Sequence, residues 1–157
     1  MTRCAAGTRR RRERQRRARG RLRRGHAPWG RGVDDLDGGP ENDKLDGGDD
    51  RDRLDGGLGT DTIDGGVASS NGFFTGDTVV YDRVNPVQVD LHRTDGSQDA
   101  TGENDKIVRV ENAQGGHGDD KLTGNAENNI LVGDRADDVL KGEAGRDALH
   151  GLENETT

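Results

Sequence analysis

Cysteine is almost absent. Cys4 stands alone in 157 residues, which excludes an internal disulfide framework and the usual cysteine-based zinc sites. Aromatic residues are 3% of the chain and apolar residues 27%, too little for a conventional packed core. No apolar run approaches the ~18 residues of a membrane span. The N-terminus is basic but has no apolar stretch behind it, so it is not a standard secretory signal. With 35% charged residues, composition alone is equally compatible with an acidic disordered chain. Periodicity has to decide.

The net charge of −7 joins two opposed pieces. Residues 1–32 hold 13 arginines and one acid, Glu13, a balance of +12. The remainder holds 11 of the 24 basic residues and 30 of the 31 acids, a balance of −19. The two pieces are therefore read separately.

What the chain does have is a nine-residue step. Leu36, Leu45, Leu54 and Ile63 keep it, and Asp34, Asp43, Asp52 and Asp61 lie two residues ahead of each. A second block repeats the pattern. Leu122, Leu131, Leu140 and Leu149 follow Asp120, Asn129, Asp138 and Asp147 at the same distance. Nine residues make about 2.5 helical turns, so a helix would point successive aliphatics to opposite sides. Glycine between the aliphatics penalises a helix further. A very short strand around each aliphatic, followed by a glycine-permitted tight turn, fits instead. Two nonads then complete one coil of a flattened solenoid, and coils stack through parallel pairing.

That geometry explains the acids. Residues 18 apart come to lie above one another, so Asp34 stacks near Asp52, Asp43 near Asp61, and Asp120 near Asp138. Bare carboxylates stacked this way repel, and a hard divalent cation between turns reverses the sign. Calcium takes 6–8 oxygen ligands, which carboxylates and the exposed carbonyls of glycine turns can supply; magnesium demands tighter octahedral geometry. Candidate ligands are thus Asp34, Asp43, Asp52, Asp61, Asp120, Asn129, Asp138 and Asp147, with Asp120 and Asp138 the best pair of the second block.

The pattern resembles the repeats-in-toxin (RTX, haemolysin-type calcium-binding) nonapeptide, Gly-Gly-x-Gly-x-Asp-x-aliphatic-x. The closest copies are "GGLGTDTID" (56–64) and "GGHGDDKLT" (115–123). The resemblance implies an all-β parallel β-roll with Ca2+ in its turns, and a secreted, extracellular protein. Departures from the pattern imply fewer and looser sites. The third glycine is replaced at Glu41, Asp50, Glu127 and Ala136, and the second glycine at Asn125, Asp134 and Glu143. Asn129 stands where an aspartate is expected and weakens the site it would share with Asp147.

Four segments follow: an arginine-rich tail over 1–32 expected to be disordered, a repeat block over 33–66, an irregular β segment over 67–114, and a second block with the C-terminus over 115–157. In the third segment "VVY" (79–81), "VQVDL" (87–91) and "KIVRV" (106–110) read as strands. "ENDKI" (103–107) echoes "ENDKL" (41–45), which adds Asp105 to the ligand candidates, and "TGDTV" (75–79) echoes "GTDTI" (59–63). The segment is read as a widened continuation of the roll with longer outward loops, the alternative being a separate small β unit. Phe73, Phe74 and Tyr81 are expected to pack over an end or a wide coil. The tail has three readings: an arm that attracts nucleic acid or anionic surfaces by charge, an arm folded back on the acidic roll, or a mis-called start translated out of frame. Nucleic acid is the weaker partner, since no aromatic platform is interleaved.

Catalytic signatures are missing. His26, His92, His117 and His150 form no H-E-x-x-H pair. Ser69, Ser70 and Ser97 sit in no G-x-S-x-G. The repeat already accounts for the paired carboxylates. The chain is read as a non-enzymatic calcium-binding module that folds on calcium after secretion. The alternatives are a charge-driven interaction protein whose arginine arm binds nucleic acid, and the C-terminal fragment of a larger secreted RTX enzyme or toxin. A parent chain and the secretion machinery are the partners these readings name besides calcium.

Overall fold

The computed structural model describes residues 16–19, 31–67, 76–92, 98–100 and 103–151. Every regular element in them is a strand. In chain order these are β1 (Arg16–Arg19), β2 (Asp34–Asp37), β3 (Lys44–Asp49), β4 (Arg53–Asp55), β5 (Thr62–Val67), β6 (Thr78–Val80) and β7 (Val87–Asp90). They continue as β8 (Gln98–Ala100), β9 (Glu103–Val108), β10 (Asn112–Gln114), β11 (Lys121–Thr123), β12 (Ile130–Asp134), β13 (Val139–Lys141) and β14 (Ala148–Gly151). Among the described residues no helix is long and apolar enough to cross a membrane.

The chain alternates between two faces, as the nine-residue step demands. One sheet runs β1-β2-β4-β6-β10-β12-β14 and is parallel throughout. The other runs β13-β11-β7-β8-β9-β5-β3. Strand residues two apart face the same way, so one short strand turns both its acid and its aliphatic inward. Leu36, Leu54, Val79, Ala113 and Leu131 stand in register on the first face. Leu45, Ile63 and Ile107, then Val89 and Leu122, line the second. All of these are buried in one core cluster. A core one side chain thick leaves no slack, so truncating Leu54 to alanine costs on the order of 2–5 kcal/mol.

The roll continues through the described residues of 67–114, because β6 pairs with both β4 and β10 and β9 pairs with β5. Part of what the sequence leads one to expect as outward loop is a sheet strand. From β7 the chain doubles back through β8, which pairs antiparallel with β7 and with β9. This reversal sets β9, the later strand, next to β5, and leaves β7 next to β11. It also keeps the acid–aliphatic phase, since Ile107 takes the place below Ile63 that Ile63 takes below Leu45.

Of residues 1–30 the structure describes only β1, whose Arg16, Arg17 and Arg19 stand in register with Asp34, Asp35 and Asp37; the expectation of a disordered tail otherwise lies outside the described residues. The edge of β2 offers that strand its backbone partners. Tyr81 does not cover an end; it is buried inside the roll, 1% exposed. Phe73 and Phe74 lie outside the described residues.

Candidate metal centre

The inward acids form two columns, one along each edge where the chain turns between faces. On the first, the N–H of Asp34 donates to Asp52 Oδ1 at 2.7 Å, that of Asp52 to Asp77 Oδ1 at 2.7 Å, and that of Asp77 to Glu111 Oε2 at 2.9 Å. Asn129 and Asp147 continue it, the N–H of Asn129 donating to Asp147 Oδ1 at 3.0 Å. On the second, the N–H of Asp43 donates to Asp61 Oδ1 and that of Asp61 to Asp105 Oδ1, both at 2.8 Å. After β8 the column resumes, with the N–H of Asp120 donating to Asp138 Oδ1 at 2.9 Å. One oxygen of each accepting carboxylate thus ties its coil to the one before.

All nine sequence-expected positions lie on these columns. Asp34, Asp52, Asn129 and Asp147 share the first, and Asp43, Asp61, Asp105, Asp120 and Asp138 the second. The sequence reading missed Asp77 and Glu111. Each stands two residues ahead of a core residue, Val79 or Ala113. The clue to Asp77 was the echo of "GTDTI" in "TGDTV". Glu111 carried only the acid-x-small spacing.

The second carboxylate oxygen separates the turns into two kinds. Asp52 Oδ2, Asp77 Oδ2 and Asp138 Oδ2 are buried and meet no hydrogen-bond donor. Each is aimed at the first glycine of the preceding turn. A methyl group on Gly47 would lie 2.5 Å from Asp52 Oδ2 and 2.6 Å from the carbonyl oxygen of Gly65. Glycine there leaves a hollow into which a carboxylate and a backbone carbonyl both point. Burial of a bare carboxylate disfavours its charge. It pushes Asp52 up to about 6, against the opposing N–H of Asp34 and with the charges of Asp34, Asp50 and Asp46 adding. It pushes Asp77 up to about 7, with the charges of Glu111 and Asp52 adding. Asp138 is raised by burial too.

Other turns bring their own donor. Asn129 is fully buried. Its Nδ2 donates to the Glu111 carbonyl at 2.6 Å and to Asn125 Oδ1 at 3.0 Å, while its Oδ1 accepts the N–H of Asn125 at 2.8 Å. On the other column the Tyr81 hydroxyl donates to Asp105 Oδ2 at 2.9 Å. β7 has no acid two residues ahead of its core residue Val89: Val87 takes that position and its N–H donates to Asp120 Oδ1 at 2.8 Å. Asp120 Oδ2 accepts the N–H of Gly116 at 2.7 Å.

The oxygen-only donor set of the first kind of turn fits a hard cation such as calcium. At Asp52 and Asp77 an orphaned buried carboxylate oxygen and a carbonyl oxygen converge on one glycine, which is the arrangement such an ion neutralises. Among the described residues no three His, Cys, Asp or Glu side chains gather closely enough to hold an ion by themselves. Main-chain oxygens must therefore complete any site.

The family model of the RTX calcium-binding nonapeptide repeat, built of four copies, matches residues 30–66, 112–130 and 123–154, about half of the chain. No curated protein and no solved structure matches.

Proposed function

The chain belongs to the RTX calcium-binding nonapeptide repeat family, a family that binds Ca2+, and from that premise we propose that it is a non-enzymatic module that folds when calcium arrives outside the cell. The observation that carries this reading is the set of buried, donorless carboxylate oxygens. Asp52 and Asp138 present one each. Without an ion they are a cost to the folded state, since a buried polar atom without a partner costs about 1–3 kcal/mol and a charged one more. With an ion that binds only when two coils are in register, the same atoms become the reason to fold.

Within each site the chain's own groups have distinct parts. Asp52 and Asp138 supply the side-chain oxygen; Gly65 and the other turn carbonyls supply main-chain oxygens; the N–H of the acid one coil back fixes the carboxylate through its other oxygen. Calcium supplies the positive charge that allows acids to stack. Extracellular calcium sites commonly have dissociation constants of ~10⁻⁴–10⁻³ M, a range that supports an extended chain inside the cell and a folded one after export. The test is a far-ultraviolet circular dichroism titration of the full chain, from excess chelator to ~10 mM calcium, with magnesium as control. A calcium-specific rise of β signal is expected. Strong β signal in chelator, or an equal response to magnesium, would overturn the reading.

A further inference from the structure

Asp77 lies outside the residues that match the family model, in the segment where the nine-residue step is lost. We propose that Asp77 is a ligand of a calcium site at the junction of the first repeat block and the irregular segment, completed by Asp52 and by the main-chain oxygens of Gly65 and Arg109. This inference rests on the calcium reading above and assigns to that chemistry a turn that the repeat pattern does not contain.

Three observations carry it. First, Asp77 is 0% exposed, and its Oδ2 meets no hydrogen-bond donor. An acid so placed needs a cation or a proton. Second, Asp77 Oδ2 points at Gly65, where an added methyl would lie 2.5 Å from it and would strike the carbonyl oxygen of Arg109. The same hollow recurs one coil earlier, where Asp52 Oδ2 and the Gly65 carbonyl converge on Gly47. Third, the register makes Arg109 the successor of Gly47 and Gly65. Asp46, Asp64 and Val108 are aligned across β3, β5 and β9, and each of those three residues comes next.

Arg109 is not glycine, yet its φ is +53°, the left-handed conformation. Its guanidinium is held outward by Asp64, with Nε to Oδ1 at 2.7 Å and Nη2 to Oδ2 at 2.6 Å. The arginine thus keeps its side chain out of the turn while its carbonyl stays in. The pair Gly65-Gly66 would find its aspartate at position 70 in a regular nonad, where the chain has Ser70. Residues 67–76 postpone that acid to Asp77, and the fold returns it to the column between Asp52 and Glu111.

The competing arrangement is a protonated Asp77 with no ion beside it. Asp77→Asn separates the two, because an amide mimics the protonated acid. Calcium is counted by native mass spectrometry and calorimetric titration on the full chain and on D77N, D61N and the exposed-site control D37N. The proposal expects D77N to bind one ion fewer and to need several-fold more calcium for its β transition, as D61N does, while D37N keeps the full count. If D61N loses an ion and D77N keeps the full count, this inference falls and the calcium reading stands. If the unsubstituted chain binds no calcium, both fall. Should D77N give no β signal at saturating calcium, the unsubstituted chain is crystallised with calcium. Anomalous calcium density between Asp77 Oδ2 and the Arg109 carbonyl then upholds the site, and its absence overturns it.

Discussion

The turn at Asp52 and the turn at Asn129 occupy the same column of the same roll, yet they close in opposite ways. Both residues are buried, each precedes a core leucine by two, and each follows a glycine by five. Asp52 keeps an oxygen without a donor. Asn129 replaces that oxygen with an NH2 group that finds the Glu111 carbonyl and Asn125 Oδ1. A change from oxygen to nitrogen replaces an acceptor that has no donor with a donor whose acceptors are at hand. Tyr81 does the same for Asp105 by lending a proton from another strand. Bare and closed turns therefore do not sort by segment: Asp77 keeps an oxygen without a donor inside the irregular segment, and Asn129 closes its turn inside the second repeat block.

The largest test breaks this contrast at Asn129. Asn129→Asp removes two amide donations and turns a carboxylate onto the Glu111 carbonyl. Without calcium it should cost about 3–5 kcal/mol, the penalty for an uncompensated buried charge. With calcium much of the loss should return, along with one additional bound ion. Chemical denaturation with and without calcium, combined with an ion count, checks both halves. A loss of the same size in calcium would mean that this turn cannot be made a site.

Tyr81→Phe carries the contrast to the other column. It withdraws the hydroxyl from Asp105 Oδ2 and should cost about 2 kcal/mol in chelator, as for a hydrogen bond to a charged group. The cost should shrink in calcium, because a cation beside Asp105 can offset the loss of the hydroxyl donor. Equal losses under both conditions would leave Tyr81 with packing alone.

Acid should blur the contrast. The folded-state pKa values of Asp52 and Asp77, about 6 and about 7, lie above the ordinary 3.8. The folded chain therefore holds more protons than the unfolded one between those limits, and ion-free stability is lost as pH rises through them. In chelator, β signal should be stronger near pH 4 than at pH 7.5. Calcium affinity should run the other way, rising up to about tenfold for each unit of pH increase where a proton must leave for the ion to bind. Circular dichroism across that range reads both trends, and a flat profile would remove the buried acids from the account.

The smallest effect concerns the strained turns. Asp50, Asp134, Ala136 and Glu143 adopt φ of +85°, +78°, +77° and +68°, where a side chain is disfavoured. These are four of the seven positions at which the sequence departs from the repeat's glycines. Ala136→Gly should stabilise the folded chain by about 0.5 kcal/mol, strain relief less the added freedom of the unfolded chain. A shift of the calcium midpoint to lower concentration would register it.

The regular blocks were legible because their information is local. In a strand, an acid two residues ahead of an aliphatic shares its inward face wherever the strand pairs, and a constant step of nine fixes the register of one coil on the next. Asp34, Asp43, Asp52, Asp61, Asp120, Asn129, Asp138 and Asp147 could therefore be placed from spacing alone, as could the inward ladder of aliphatics up to Leu131; Leu140 is only partly buried and Leu149, expected inward, is exposed on the last strand. Asp105 was placed by a five-residue echo, which survives an insertion because it is local too.

Other matters were decided by tertiary structure. Loops of unequal length cut the link between sequence distance and height along the roll, so no spacing announces that Asp77 falls between Asp52 and Glu111. The antiparallel β8 reverses the order of β7 and β9, and only the pairing of strands reveals it. Whether an inward acid needs an ion depends on the donor opposite, which can come from its own side chain, as at Asn129, or from a residue 24 positions away, as Tyr81 does for Asp105. Sequence alone determined the period, the parallel roll and the acid columns, because these follow from the alternation of a strand and the length of a coil. The fold decided which oxygens remain bare, because a hydrogen bond joins groups that distant parts of the chain bring together.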